Sequence, residues 1–412
     1  MSSPKYITPP QECTGCALCA NVCSTDAINM VWSGDGFLVP QVNVNACINC
    51  GACVRTCPAQ PAHLEKLRAE SSVTETPEAY GGWHKDKDIH LNSSSGGVFS
   101  ALAEHIFAAG GCVFGVVWSG KDIARYTKAE NMAELAAMRG SKYTQAVPGM
   151  VYRDVKEELK RGRQVLFCGT SCQVYALKRY LRKDYEKLLL VDILCHGVPS
   201  RSLLQAYIRE FEVSTGKELE RIQFRDKAGN WQQYQVKKIF ADGSSLGHIN
   251  RQDMFIRLFV GDYALNKACY ACPHARFPRV GDITLGDFWG DLQKLHPDWP
   301  IPDGIGSILA NSPKGKALLQ RLSASGSVTL VADVLDNLID GQRPTYIRHA
   351  EALPPNREQV LRALRDEKLC QIYHNLFAYE RCGPFRLRKS SLLYKAYNVL
   401  RRIKRRFFGR SH

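Results

Sequence analysis

The chain has 412 residues, 45% hydrophobic and 23% charged, which fits a sizeable core and excludes general disorder or a disulfide-stapled miniprotein. Its net charge of +15 is uneven, because Gly383 to His412 carry ten Lys or Arg and no acid, leaving +5 for the rest. A uniformly basic nucleic-acid binder is excluded, and a weakly basic body with a basic tail is expected, with no nucleic-acid partner.

No apolar signal-type segment opens the sequence, and no apolar run approaches the ~20 residues that span a bilayer. A cytoplasmic, reducing setting is expected, in which sixteen cysteines serve metal binding and not disulfides. Eight of them form two copies of one unit, CTGCALCANVC from Cys13 to Cys23 and CINCGACVRTC from Cys47 to Cys57. Each copy reads C-x2-C-x2-C-x3-C. Three thiolates on a tight loop suit three irons of one cubane, and the fourth cysteine of each run serves the other cluster in two-cluster ferredoxins. The spacing therefore assigns Cys13, Cys16, Cys19 and Cys57 to one 4Fe–4S cluster, and Cys47, Cys50, Cys53 and Cys23 to a second. Zinc knuckles use cysteine pairs, not triplets with a trailing fourth, which argues against zinc. Cys23 is followed by Ser24 where proline is usual, a matter of turn geometry and not of ligands. Between the runs, GDGFLVPQVNVN alternates as a short hairpin does, and the polar stretch Glu65–Thr76 reads as a linker.

A second region begins near Gly81. VFSALAEHIFAAGG has helical spacing and a glycine stop, CVFGVVW is strand-like, and VYRDVKEELKRG is a charged helix. QVLFCGTSCQ reads as a strand running into a loop, QVYALKRYLRK as a helix, and LLLVDILCHG as a buried strand ending in a loop. This repeated strand–loop–helix–strand order puts the unusual residues at the C-terminal ends of strands, the rim where α/β folds often place sites. From about Ser200 to Ile347 helix and strand mix, around the turn-rich CYACPHARFPRVGDITLGDFWGD. After Arg348 the pattern is mainly helical.

Cys112 and Cys168 lie in apolar strand patterns and read as small buried hydrophobes, while Cys370 and Cys382 sit among helical or tail residues and read as incidental. Cys172, Cys195, Cys269 and Cys272 sit in strand-end or turn-rich loops. They can converge on a third cubane; a Cys269/Cys272 zinc pair or four unrelated thiols are the alternatives. His196, beside Cys195, is the candidate proton donor, against the commoner structural role of a lone histidine. Asp282, Asp287 and Trp289 lie among Gly-Asp bends that can present side chains to a site. Neither G-x-G-x-x-G nor a Walker loop is present. Two small-residue loops offer a flavin site instead: Ser93–Gly97 ahead of a helix, whose amides favour phosphate, and Arg139–Tyr143 with its donors and cation. The tail LLYKAYNVLRRIKRRFFGRSH interleaves apolar and basic residues and, as a helix, suits an anionic membrane surface ahead of RNA or plain solvent.

Taken in order, SSSGGVFSAL, RGSKYTQ, VLFCGTSCQ, VDILCHGVPS and CYACPHARFPRVGDITLGDFWG resemble the beta subunit of coenzyme F420 hydrogenase/dehydrogenase, over about Ser93 to Gly290. Some members with a ferredoxin-like front end accompany polysaccharide-biosynthesis enzymes, and plant 7-hydroxymethyl chlorophyll a reductase is another member. The resemblance implies FAD beside a 4Fe–4S cluster, with Cys172, Cys195, Cys269 and Cys272 as ligands of a third cubane. It also implies FAD contacts at Ser94, Ser95, Gly96 and Gly97, at Gly140, Ser141, Lys142 and Tyr143, and at Thr170. GTSC replaces the commoner GTPC, so Ser171 is expected to loosen that turn.

The expected fold is α+β, with a bacterial-ferredoxin-like domain over residues 1–70, a mixed α/β flavin-binding catalytic region and a helical basic tail. The catalytic region divides into a family N-terminal part at 80–165 and a C-terminal part at 166–347, and the helical segment takes 348–412. The expected function is an FAD-dependent iron–sulfur oxidoreductase loaded by ferredoxin or another one-electron donor, delivering a hydride to coenzyme F420 or to a substrate of polysaccharide biosynthesis. A non-catalytic electron-transfer subunit with a partner, and a membrane-surface accessory protein of glycan biosynthesis, are the competing expectations.

Overall fold

A computed structural model describes residues 6–8, 12–69, 76–347, 353–366 and 369–377. Near the N-terminus, β1 (Ile28–Trp32) and β2 (Leu38–Val42) form the expected antiparallel hairpin, with short helices at Leu18–Asn21 and Ala52–Thr56 carrying the cysteines. The stretch read as a linker from Glu65 is helical up to Ala69, within a helix that Pro61 opens. Proline costs nothing at a first helical position, and Leu64 and Leu67, three residues apart, bury one face.

The body is built on one nine-stranded sheet. Its strands in chain order are β3 (Glu78–His84), β4 (Cys112–Trp118), β5 (Ala124–Ala129), β6 (Ala146–Val147), β7 (Val165–Thr170) and β8 (Leu188–Ile193). After the separate β9 (Leu219–Asp226), β10 (Gln235–Phe240) and β11 (Ser245–Ile249) come β12 (Ile283–Asp287), β13 (Gly306–Ala310) and β14 (Val328–Asp333). The order across the sheet is β14-β3-β13-β12-β8-β7-β4-β5-β6. Strands β4, β7, β8 and β12 run parallel, and β3 points the same way through two antiparallel pairings with β13. The central strands are covered on both faces, which explains their continuous apolar runs: all five residues of β13 are buried, as are five of six in β8. Residues 80–165 and 166–347, expected as successive regions, share this one sheet: β4 of the first pairs with β7 of the second, and β3 lies between β13 and β14.

Strands β9, β10 and β11 form a second, antiparallel sheet. It packs with helices Arg201–Thr215, Met254–Val260, Arg357–Asp366 and Leu369–Phe377 around Leu204, Phe224 and Phe255. The last two helices bear out the helical reading after Arg348, while Cys382 and the basic tail lie outside the described residues.

The cysteine-rich domain is fastened to this body at several points. Gln145 accepts from the Leu38 amide at 2.7 Å and donates to the Thr14 carbonyl at 3.0 Å. Tyr152 donates to the Cys16 carbonyl at 2.8 Å, Arg179 to that of Thr56 at 2.9 Å, and Asn266 to that of Cys13 at 3.2 Å. Arg153 reaches the Asn21 and Cys23 carbonyls at 2.9 and 2.6 Å. No helix among the described residues is long and apolar enough to cross a membrane.

Candidate functional site

The two cysteine runs wind alike. Gly15 and Ala17 in the first, and Asn49 and Gly51 in the second, all take left-handed φ values between 55° and 70°. These are matching positions of the repeat, between successive cysteines. Each left-handed residue turns the chain tightly between one cysteine and the next. Cys13, Cys16, Cys19 and Cys57 lie within electrostatic reach of one another. Burial, reinforced by neighbouring thiols, pushes Cys13 up to about 12 and Cys57 to about 11. Such thiols ionise only if a cation replaces the lost water, which is what cluster iron supplies. Cys23, Cys47, Cys50 and Cys53 together line a small cavity with Tyr6 and Ile28. Both groupings match the sets expected from spacing.

Cys172, Cys195, Cys269 and Cys272 come from three separate segments and meet. Cys172 lies within electrostatic reach of Cys272, Cys195 and Cys16, and Cys269 within reach of Cys195, Cys272 and Cys172; burial raises both above the ordinary thiol range. Hydrogen-bond partners are in place at the sulfurs: the Val198 amide donates to Cys269 Sγ at 3.4 Å, and Thr170 Oγ1 stands 3.2 Å from Cys172 Sγ. Among the described residues no three His, Cys, Asp or Glu side chains close tightly enough for a single metal ion. A cubane, by contrast, takes thiolates spaced around its faces. The loop expected at GTSC is helical: a capping box pairs Thr170 with Gln173, the helix begins at Ser171, and Cys172 sits in its first turn.

Two of these thiols, Cys172 and Cys195, border a cavity of about 1040 Å³ that opens at the C-terminal edge of the sheet. Cys172, Cys195 and Thr14 line it, and so do all nine residues expected to touch FAD: Ser94 to Gly97, Gly140 to Tyr143, and Thr170. Cys168, read as a plain core residue, also reaches the cavity wall, whereas Cys112 is wholly buried in β4. Of the Gly-Asp bends, Asp287 and Trp289 line the cavity. Asp282 is structural, accepting from the Leu190 amide at 2.9 Å and from Ser312 Oγ at 2.7 Å.

The Ser94–Gly97 loop is held from behind. The Ser94 carbonyl accepts from Arg225 Nη2 at 3.2 Å and Trp231 Nε1 at 3.1 Å, that of Ser95 from Lys227 Nζ at 2.8 Å, and that of Gly96 from the His84 amide at 2.7 Å. A trans peptide points its N–H opposite its C=O, so the amides of Ser95, Gly96 and Gly97 turn the other way. Helix Val98–Ala108 starts directly after them and adds its own free amides, a combination that favours an anionic group such as a pyrophosphate. Arg225 is itself fixed by Asp287, at 2.7 and 3.1 Å, and lies against Tyr234 and Trp289. Arg225, Lys227 and Trp231 were invisible to motif reading. Their targets are some 130 residues away, and only the RDKAGNW cluster of donors after β9 hints at them.

The second loop meets the first where Ser94 Oγ and Ser141 Oγ lie 2.9 Å apart. Lys142 turns its ammonium onto the Met138, Arg139 and Gly140 carbonyls at 3.0–3.1 Å, closing the loop, and burial lowers it to about 8. Gly140 has φ +82° and open space where a Cβ would be. Thr144 Oγ1 is buried on the cavity wall without a partner among the described residues. An orphaned hydroxyl beside a glycine cradle fits a polar cofactor of flavin-dinucleotide size. His196 lines the same cavity, its Nε2 2.8 Å from Asp262 Oδ1 but out of line for a hydrogen bond.

Residues 12–60 match the 4Fe-4S dicluster domain model. Residues 79–152 match the model for the N-terminus of the coenzyme F420 hydrogenase/dehydrogenase beta subunit, and residues 162–334 match the model for its C terminus. No curated protein matches the chain. Among solved structures, a chain of the xenon-derivatized F420-reducing [NiFe] hydrogenase complex from Methanosarcina barkeri aligns with a TM-score of 0.44 and 13% identity, over 75% of this chain and 96% of that one. With both halves of the family model matched over more than half of its length, behind a dicluster domain, the chain belongs to the coenzyme F420 hydrogenase/dehydrogenase beta subunit family, an iron–sulfur oxidoreductase lineage.

Proposed function

We propose that this chain is an iron–sulfur flavoprotein oxidoreductase that passes electrons between a one-electron carrier and a hydride acceptor. The observation that carries the reading is a single cavity whose wall brings together Cys172, Cys195, the first cysteine run at Thr14, and both serine–glycine loops. In this reading Cys13, Cys16, Cys19 and Cys57 hold one cubane, Cys47, Cys50, Cys53 and Cys23 a second, and Cys172, Cys195, Cys269 and Cys272 a third. Ser94–Gly97, Gly140–Tyr143, Thr144 and Thr170 hold FAD. A bound FAD accepts electrons singly and releases them as a hydride.

The chain's own residues decide where a carrier has access. Cys50 is exposed, and the loop from Asn43 to Cys50 has no charged residue and exposes Val44 and Ile48, so a carrier such as ferredoxin meets the protein there. The four inner thiols are each only partly exposed, which gives a carrier less access there than at Cys50. His196, facing Asp262 at 2.8 Å, holds a proton at the cavity wall for the acceptor. Coenzyme F420 and a polysaccharide-pathway substrate are the acceptor classes under test.

Anaerobic purification of the full chain, with iron, sulfide and flavin quantification and EPR of the reduced protein, tests this. About twelve irons and one FAD per chain are expected from three cubanes. About eight irons would remove the inner cluster, and absence of flavin would remove the hydride step. The family's standing as a beta subunit favours a second reading, an electron-transfer subunit that needs a partner. Turnover by the isolated chain with an acceptor would reject it, whereas reduction that stalls until a partner is added would support it. For the tail, a chain lacking residues 392–412 should lose binding to anionic vesicles; unchanged binding, or none by the full chain, rejects a membrane role.

A further inference from the structure

The four inner cysteines arrive on three chain segments that are far apart in sequence, and one buried side chain ties all three together. Asp192, in β8 three residues before Cys195, is fully buried. Its Oδ2 accepts from Ser171 Oγ at 2.7 Å and from Arg279 Nη2 at 2.6 Å, and its Oδ1 accepts from Thr284 Oγ1 at 2.7 Å. Ser171 immediately precedes Cys172. Arg279 ends the segment that carries Cys269 and Cys272, and its Nη1 donates to the His274 carbonyl at 3.1 Å, two residues beyond Cys272. Arg279 Nη2 also donates to Ser171 Oγ at 2.9 Å, closing a triangle of Ser171, Asp192 and Arg279. Ser171, expected to loosen its turn, instead anchors it.

We propose that Asp192 is the positioning residue of the inner cluster, setting through Ser171 and Arg279 the relative placement of the segments that supply its four thiolates. The proposal rests on the reading that Cys172, Cys195, Cys269 and Cys272 hold a cubane. A charge this buried persists only when it is paired and its lone pairs are filled. Ser171, Arg279 and Thr284 fill them: Ser171 opens the helix after β7, Arg279 lies in the loop that leads into β12, and Thr284 lies in β12 itself. Four ligands from three segments must be placed before the metal arrives or be dragged into place by it. A rigid carboxylate at their junction does the former. Through its bonds to Ser171, Arg279 and Thr284 it acts on the cluster by geometry.

The test uses the full chain prepared without oxygen as wild type, Asp192→Asn and Ser171→Ala, read by iron content, EPR and potentiometric titration. Wild type with about eight irons would refute the inner cluster itself and leave the two N-terminal clusters standing. With about twelve in the wild type, Asp192→Asn is expected to lose about four irons and the inner signal while keeping both N-terminal signals. Ser171→Ala keeps the ion pair, so it should hold about twelve irons but show a shifted inner EPR signal and midpoint potential. A merely structural role would lower stability in both variants and move neither the signal nor the midpoint. Wild-type iron, signal and midpoint in Asp192→Asn would overturn the proposal. If that variant gives no soluble protein, unaltered signal and midpoint in Ser171→Ala overturn it.

Discussion

Replacing Arg225 with methionine isolates the strut behind the Ser94–Gly97 loop. The guanidinium is 3% exposed and meets Asp287, 20% exposed, through two bonds of 2.7 and 3.1 Å, with a third to the Ser94 carbonyl at 3.2 Å. Methionine fills most of the same space, so the loss is of charge and hydrogen bonds and not of packing. Removing one partner of a buried ion pair costs about 3–5 kcal/mol, because the other charge is left uncompensated. Asp287 keeps some contact with water, which places the expected loss near the lower end, about 3 kcal/mol. Urea unfolding should show a lower midpoint at an unchanged slope. Flavin binding should weaken as well, since the Ser94–Ser95 peptide keeps only Trp231 to hold its orientation. Adding Asp287→Leu removes the stranded carboxylate and should recover most of the lost stability without recovering flavin. An Arg225→Met chain within about 1 kcal/mol of wild type, or a double variant no more stable than the single, would refute the strut.

The other expectations are smaller in scale. Thr144→Val should leave the flavin-free chain as stable as wild type, because its hydroxyl has no partner to lose, yet weaken flavin binding about fivefold in a fluorescence titration. At Gly96 a Cβ would lie 2.1 Å from the Gly82 carbonyl oxygen and 2.7 Å from the Gly306 nitrogen, so Gly96→Ala should cost about 2 kcal/mol or more and abolish flavin retention. Gly140→Ala meets no atom and should cost only the left-handed penalty, about 1 kcal/mol, while still interfering with flavin. Lys142 is lowered by burial from 10.5 to about 8, so between those values the unfolded chain holds a proton that the folded one has released. The Lys142 contribution to stability should therefore rise with pH across that interval, read as a wild-type minus Lys142→Met difference in urea midpoint that grows with pH.

Local patterns carried much of this site. Ligand spacing is a property of a dozen consecutive residues, and the matching left-handed positions at Gly15, Ala17, Asn49 and Gly51 show the repeat expressed in the backbone. The serine–glycine loops were legible for the same reason, each being a short run ahead of a helix or turn. Strand runs such as LLLVDI were legible as well, because burial on both faces leaves an unbroken apolar signature. The sharing of one sheet by two regions was not, since strand pairing between β4 and β7 leaves no mark in either strand alone. Cys172 belongs to a helix and not to the expected loop, and the signal is local: Thr170 and Gln173 stand three apart as a capping box requires. Ser171 was misjudged because its role is set by Asp192 and Arg279, which only folding brings to it.

The latch at Gln145 has a kinetic consequence. With one side chain bonded to both Leu38 and Thr14, and Tyr152, Arg153, Arg179 and Asn266 gripping further carbonyls, the cysteine-rich domain is no swinging arm. Cys16 already stands within electrostatic reach of Cys172. Under the proposed function, transfer from the first cysteine run to the inner thiols then needs no hinge to open or close, so its rate should ignore solvent viscosity.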